Sequence, residues 1–224
     1  MAGVTESPLP SPTRPNWIWF LSDVVVSMLL SVWLHYRVRG RQHLPADSGA
    51  LLLINHQSFL DPMLVASGLG RPISYLARDS LFRIPFLGWF LRKTYVIPIS
   101  RSATTTGPIK EAVRRLQHGL LVGIFPEGTR SRDGAVGPMK PGFIALIRRG
   151  DVPVIPVGIA GAYTALPRDG WFLRRTKVRV VIGEPFSTED IQCYNERGET
   201  DALVALARER IIACQQDAEQ WRLQ

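Results

Sequence analysis

The chain is poor in the residues that staple or metallate a fold. It has two cysteines, Cys193 and Cys214, and no CxxC pair, which argues against a disulfide scaffold or a zinc site and for reduced thiols. Histidines number four, His35, His43, His56 and His118, none spaced by four residues, so the helical two-histidine zinc pattern is absent as well. No GxSxG elbow occurs, and neither cysteine lies in a turn motif, which argues against a serine or cysteine nucleophile. No internal repeat is visible. Beyond the segment 1–15, with Pro8, Pro10, Pro12 and Pro15, there is no low-complexity stretch. That segment reads as a disordered tail.

Other features are abundant. Hydrophobic residues make up 46% of the chain, enough for a folded core, and 224 residues suit one domain. The formal net charge of +8 favours anionic partners: nucleic acid, an anionic membrane surface or phosphorylated substrates.

Residues 17–34 form one apolar run, part of a segment spanning 16–36. Asp23, Ser27, Ser31 and His35 step by four and make one polar seam on a helix. Eighteen helical residues span about 27 Å, close to the ~30 Å hydrocarbon core. Three arrangements fit: a transmembrane helix, a helix in the membrane plane, or a helix packed on the domain. Asp23 opposes deep central burial in lipid. No small-residue cleavage site follows, which disfavours a signal peptide. If the helix spans, Arg37, Arg39 and Arg41 place the remainder on the cytoplasmic side.

From 37 to 224 short β-rich runs alternate with helical patterns. Strands are expected at 50–54, 73–77, 95–99, 120–125, 154–159 and 178–182, and helices near 62–69, 106–118, 140–149 and 200–221. The pattern predicts a single α/β domain with a central mixed, largely parallel sheet flanked by helices, plus the N-terminal apolar membrane-associated helix. In such sheets sites gather beyond the carboxyl ends of strands.

Two polar segments fall there. The first is Asn55-His56-Gln57-Ser58-Phe59-Leu60-Asp61, after the apolar run 50–54. Positions 56 and 61 are rotated by about 500° on a regular helix, so they meet only across a turn. Pro62 supports a turn, because the residue before proline avoids the α region. Asp61 is then expected to cap the following helix. A carboxylate on one imidazole nitrogen makes the other a general base. The alternative is that Asp61 only caps and His56 is a polar turn residue.

The second segment is Phe125-Pro126-Glu127-Gly128-Thr129-Arg130-Ser131. Gly128 permits close approach of backbone N–H groups, Arg130 can grip a phosphate bidentately, and Thr129 and Ser131 offer hydroxyls. Glu127 beside a phosphate is expected to orient an arginine or a substrate hydroxyl. Arg101 is a second candidate phosphate ligand. A solvated surface charge is the alternative for either arginine taken alone.

The combination resembles the 1-acylglycerol-3-phosphate acyltransferases. Four ordered blocks carry it: Asn55-His56-x4-Asp61; Phe86-Leu87-Gly88-Trp89-Phe90 with Ile97-Pro98-Ile99-Ser100-Arg101; Phe125 to Arg130; and Val152 to Val157. They cover roughly residues 40 to 185. The second block carries Ser100 where an acidic residue is frequent in the family. The resemblance implies phospholipid biosynthesis: acyl transfer from an acyl-CoA or acyl-carrier-protein thioester to a lysophospholipid hydroxyl, usually lysophosphatidic acid, giving phosphatidic acid. It implies His56 and Asp61 as catalytic, and Arg101, Glu127, Gly128, Thr129 and Arg130 as the phosphate site. The block with Pro153 and Pro156 reads as support for the acyl site or as a buried strand bent at prolines. A thioester needs no metal, so no cofactor beyond the donor is expected. Trp17, Trp19, Phe20, Trp171 and Phe172 are the expected membrane contacts. Competing readings are another lysolipid acceptor, a non-catalytic lipid-binding protein, and a basic nucleic-acid-binding protein. No nucleic-acid motif supports the last, and none is expected as a partner.

Overall fold

A computed structural model describes residues 9–99, 106–187, 189–191 and 200–224. The described residues form a seven-stranded sheet. In chain order the elements are α1 (Trp17–Leu34), β1 (Arg37–Arg39), β2 (Ala50–Ile54), α2 (Asp61–Leu69), β3 (Ile73–Arg78), α3 (Leu87–Lys93), β4 (Ile97–Ile99) and α4 (Thr106–Gln117). There follow β5 (Leu121–Ile124), α5 (Ile144–Gly150), β6 (Val154–Ala160), α6 (Ala162–Ala165), β7 (Arg179–Ile182) and α7 (Thr200–Leu223). The strand order is β1-β7-β6-β2-β5-β3-β4, parallel except where β6 meets β7.

The central strands explain themselves. β2 is Ala-Leu-Leu-Leu-Ile and is buried throughout, as a strand covered on both faces must be. Its side chains divide with period two. Leu52 and Ile54 join a core with Leu30 and Leu34 of α1 and Leu64, Val65 and Leu69 of α2. Leu51 and Leu53 join a second core with α4, α5 and α7. α7 lies so close to β6 that a Cβ on Gly158 would meet the Cys214 carbonyl carbon at 2.2 Å. Only glycine fits there.

The six expected strands and four expected helices all form, with ends shifted by a few residues. β1, α3 and α6 were not expected. β1 is three residues, Arg-Val-Arg, at a sheet edge; it is too short and too charged to show a strand period.

α1 packs one stripe inward and leaves the other bare. Trp19, Leu30 and Leu34 are buried, whereas Trp17, Phe20, Leu21, Val24, Val25, Met28, Leu29, Val32 and Trp33 are exposed. The helix is therefore docked on the domain while presenting an apolar outer face. Part of the expected tail is laid down too, with Pro12 close to Gly119.

Candidate active site

β2 and β5 run parallel with Leu53 beside Ile124. The turns that follow them therefore emerge side by side at one end of the sheet. Asn55 prolongs the sheet with its side chain. Its Nδ2 donates to the Ile159 carbonyl at 3.0 Å, and its Oδ1 accepts from the Ile159 N–H at 2.7 Å. The chain is then free to turn.

Within that turn Asp61 departs from the expected cap. Leu60 is the N-cap, with no side-chain cap bond, and Asp61 is the first helical residue. Its side chain points back into the turn. One oxygen, Oδ2, accepts from the Gln57 N–H at 2.6 Å and the Ser58 N–H at 2.7 Å, and lies 2.8 Å from His56 Nδ1. Three donors on one oxygen call for the ionised carboxylate. The turn's own N–H groups outcompete the helix end for the side chain. Asp61 is fully buried. Burial pushes its carboxyl up, against the hydrogen bonds from His56, Ser58 and Gln57. Its Oδ1 is buried without a hydrogen-bond partner.

His56 is held on every side but one. Its backbone N–H donates to Glu127 Oε1 at 2.8 Å, and its carbonyl accepts from the Ser131 N–H at 2.7 Å. Its ring stacks on Phe125 with centroids 4.2 Å apart, and Phe125 stacks on Tyr75 at 5.8 Å. In the tautomer whose Nδ1–H donates to the Asp61 carboxylate, Nε2 keeps its lone pair. The ring borders an open cleft of about 680 Å³.

Glu127 clamps backbone, and among the described residues it accepts from no arginine. Oε1 takes the His56 N–H and Oε2 takes the Gly137 N–H at 3.0 Å. The carboxylate thus ties the histidine turn to the loop beyond the second motif. Burial raises its pKa, opposed by the bonds from His56 and Gly137.

The same cleft is lined by Gly128, Thr129 and Arg130, together with Arg78, Lys140 and Arg168. Gly128 has φ +66°, and a Cβ there would lie 3.3 Å from Lys140 Nζ. The ammonium therefore sits directly over the glycine. Arg130 Nη1 donates to the Arg168 carbonyl at 3.1 Å. The structure thus brings together His56, Asp61, Glu127, Gly128, Thr129 and Arg130. Arg101 lies outside the described residues. Arg78, Lys140 and Arg168 went unnoticed in the sequence. They come from three separate loops or strand ends, and no spacing ties a lone cation to a distant motif. Gln57 was missed likewise: its amide bridges Gly134 and Tyr163 and braces the turn from beneath.

Of the expected membrane contacts, Trp17, Phe20, Trp171 and Phe172 are exposed, Trp171 to 92%. Trp19 is corrected: it is 6% exposed and borders an open, largely apolar pocket with Tyr75 and Phe90. The cause is the helix cap. Asn16 Oδ1 accepts the Trp19 N–H at 2.9 Å, while its amide bonds the Lys93 carbonyl and the Tyr95 hydroxyl. This sets the start of α1 against the α3–β4 corner and rotates Trp19 inward.

A largely parallel sheet thus carries a carboxylate-braced histidine and a cationic cleft at its carboxyl end. Residues 35–160 match the acyltransferase family, described as Acyltransferase. The chain belongs to that family. It is 30% identical over 192 residues to the chloroplastic 1-acyl-sn-glycerol-3-phosphate acyltransferase of Arabidopsis thaliana, covering 83% of this chain and 54% of that protein. It therefore spans about half the length of that plant relative. Against the 1-acyl-sn-glycerol-3-phosphate acyltransferase of Bacillus subtilis it is 29% identical, covering 83% of this chain and 91% of that one. The crystal structure of the 1-acyl-sn-glycerophosphate acyltransferase PlsC from Thermotoga maritima superposes with a TM-score of 0.66 at 28% identity, over 83% of this chain and 78% of that one.

Proposed function

We propose that the chain is a membrane-associated O-acyltransferase that acylates the free hydroxyl of 1-acylglycerol-3-phosphate, giving phosphatidic acid. The acyl donor is a thioester of coenzyme A or acyl-carrier protein. The observation that carries this reading is the His56–Asp61 pair opening onto the cleft that Arg130, Lys140 and Arg168 line. The relatives, which are 1-acyl-sn-glycerol-3-phosphate acyltransferases, support the acceptor.

The acceptor's phosphate lies against Arg130, Lys140 and Arg168, with Arg130 offering paired N–H donors. That leaves its hydroxyl beside His56. Nε2 takes the hydroxyl proton as the oxygen attacks the thioester carbonyl. Asp61 holds the ring's tautomer and stabilises the imidazolium. The tetrahedral intermediate collapses, the C–S bond breaks, and the imidazolium returns its proton to the leaving thiolate. The ester is formed and His56 is again neutral. Glu127 and Phe125 act on the geometry of His56, not on the substrate.

Both acceptor and product are lipids, so the cleft must work at a bilayer. The bare face of α1 and the exposed Trp171 and Phe172 supply the apolar contact, and the catalytic domain faces the cytoplasm. The deciding experiment is mass-spectrometric product analysis with a panel of lysolipids and mixed acyl thioesters. Phosphatidic acid from lysophosphatidic acid, abolished by His56→Ala with the fold intact, is expected. Full activity in that variant overturns the assignment. Turnover of another lysolipid in preference changes the acceptor and keeps the chemistry.

A further inference from the structure

A second basic recess lies at the same end of the sheet as the catalytic cleft, beyond β6. It is an open pocket of about 690 Å³ whose lining includes His35, Arg37, Lys177, Arg179 and Trp221. Arg179 is its floor. The residue is buried, its Nη1 donates to the carbonyls of His35 at 2.5 Å and Val178 at 3.0 Å, and its guanidinium stacks on Trp221 at 5.0 Å. Its Nε is buried with no partner. Carboxylates nearby are already used: Asp217 pairs with Arg39 and Glu219 with Arg222. Among the described residues no carboxylate pairs with Arg37, Lys177 or Arg179, and Gln224 at the rim forms no ion pair. Burial, then Arg37 and Arg222, lower the pKa of Arg179. A buried arginine among exposed cations favours an anionic ligand.

What surrounds the pocket says which anion. His35 is the C-cap of α1, whose outer face is apolar and bare. The loop carrying exposed Trp171, Phe172 and Leu173 is pinned to the same helix end, through Trp33 Nε1 to the Leu173 carbonyl and Arg175 Nε to His35 Nε2, both at 3.3 Å. Apolar surface therefore runs directly into the cationic recess, the profile of a bilayer with its headgroup phosphates. The sheet aligns the recess with the chemistry. Arg179 pairs with Ala160 at the end of β6, and Val157 of the same strand pairs with Ile54, two residues before His56. At ~4.8 Å per strand, β7 lies about 10 Å from β2.

We propose that this recess binds the phosphate of an anionic phospholipid headgroup, separately from the acceptor's cradle, and seats the catalytic edge on negatively charged membrane. The inference rests on the membrane association proposed above. It is tested by co-sedimentation of the full chain with phosphatidylcholine vesicles, with and without phosphatidylglycerol, and with no acyl donor present. Wild type should prefer the anionic vesicles. Arg37→Ser with Lys177→Ser should lower partition onto them roughly fivefold per charge, and onto neutral vesicles not at all. The same charge removed at Arg148 and Arg149, beside the start of β6 at the opposite end of the sheet, should cost less than about twofold at physiological salt. Arg130→Gln should retain the anionic preference. Equal losses in the two double variants mean diffuse charge and overturn the site, as does no loss in the first. Thermal stabilisation by inorganic phosphate that the first double variant abolishes, with its vesicle preference intact, assigns the recess to soluble phosphate and also overturns it. Neutral binding without anionic preference sinks this site alone; absence of binding to either vesicle sinks the membrane reading with it.

Discussion

The histidine turn and the cationic cradle border one cleft yet are built in opposite ways. His56 is fixed through its backbone N–H, its carbonyl, its ring face and Nδ1. Asp61 spends three contacts on one oxygen. Arg130, by contrast, is tethered by one bond to the Arg168 carbonyl, and Lys140 is an exposed ammonium above Gly128. Proton transfer tolerates little misplacement, because reacting atoms must meet within about 3–3.5 Å. Phosphate capture relies on charge that long, mobile side chains can bring to the ligand. On the roles proposed above, rigidity is concentrated where the bond would change and spared where the ligand would merely be held.

That contrast can be broken at its strongest point first. His56→Ala should lower kcat by about 10³-fold or more while leaving the melting temperature close to wild type; a rapid-quench or single-turnover assay checks the chemical step. Asp61→Asn comes next. An amide can accept on one atom but not serve all three donors, so kcat should fall about 10²- to 10³-fold, and the melting temperature should drop as well. A variant that kept wild-type turnover would show that the carboxylate is only structural.

On the cradle side, Arg130→Gln should act mainly through KM for the lysophosphatidic acceptor. A hydrogen bond to a charged group is worth about 1.5–3 kcal/mol, so kcat/KM should fall roughly 10- to 100-fold. An unchanged KM with a collapsed kcat would place Arg130 with the rigid half instead. Lys140→Ala should be milder, about two- to tenfold in KM, and more weakened by salt in the wild type than in the variant.

The smallest effect is on stability. Glu127 has a raised pKa because it is buried. The folded protein thus holds that proton more firmly than the unfolded chain, whose glutamate titrates near 4.3. Stability tied to this group is present below that value and is lost as pH rises through the raised pKa. Glu127→Gln removes the dependence. Its amide also turns a donor toward the Gly137 N–H, a constant penalty. The melting-temperature difference, variant minus wild type, should therefore move in the variant's favour from pH 4 to pH 7. A difference that moves the other way would mean that hydrogen bonding, not burial, governs this carboxylate.

Much of this was legible in the order of residues. Apolar runs such as 50–54 and 154–159 announced strands, because a strand covered on both faces has no polar side to alternate. Pro62 announced a turn between His56 and Asp61. What misled was the local rule itself: Asp before Pro reads as a cap, but the carboxylate was drawn to the Gln57 and Ser58 N–H groups. The backbone partners of Glu127 stayed hidden for a related reason, since His56 and Gly137 come from outside its own motif. Trp19 looked like its neighbours Trp17 and Phe20. Periodicity gives the faces of a helix but not which face docks, and the cap at Asn16 decided that.

By itself, the chain order determined the elements, the turn chemistry and the residue types gathered beyond β2 and β5, since these depend on neighbours a few positions apart. The tertiary structure alone decided that Phe125 supplies the surface His56 stacks on, that Lys140 and Arg168 share its cleft, and that Arg37, Lys177 and Arg179 form a second cationic recess. Those groups come from strands and loops far apart in sequence, and only sheet register and packing bring them within a few ångströms.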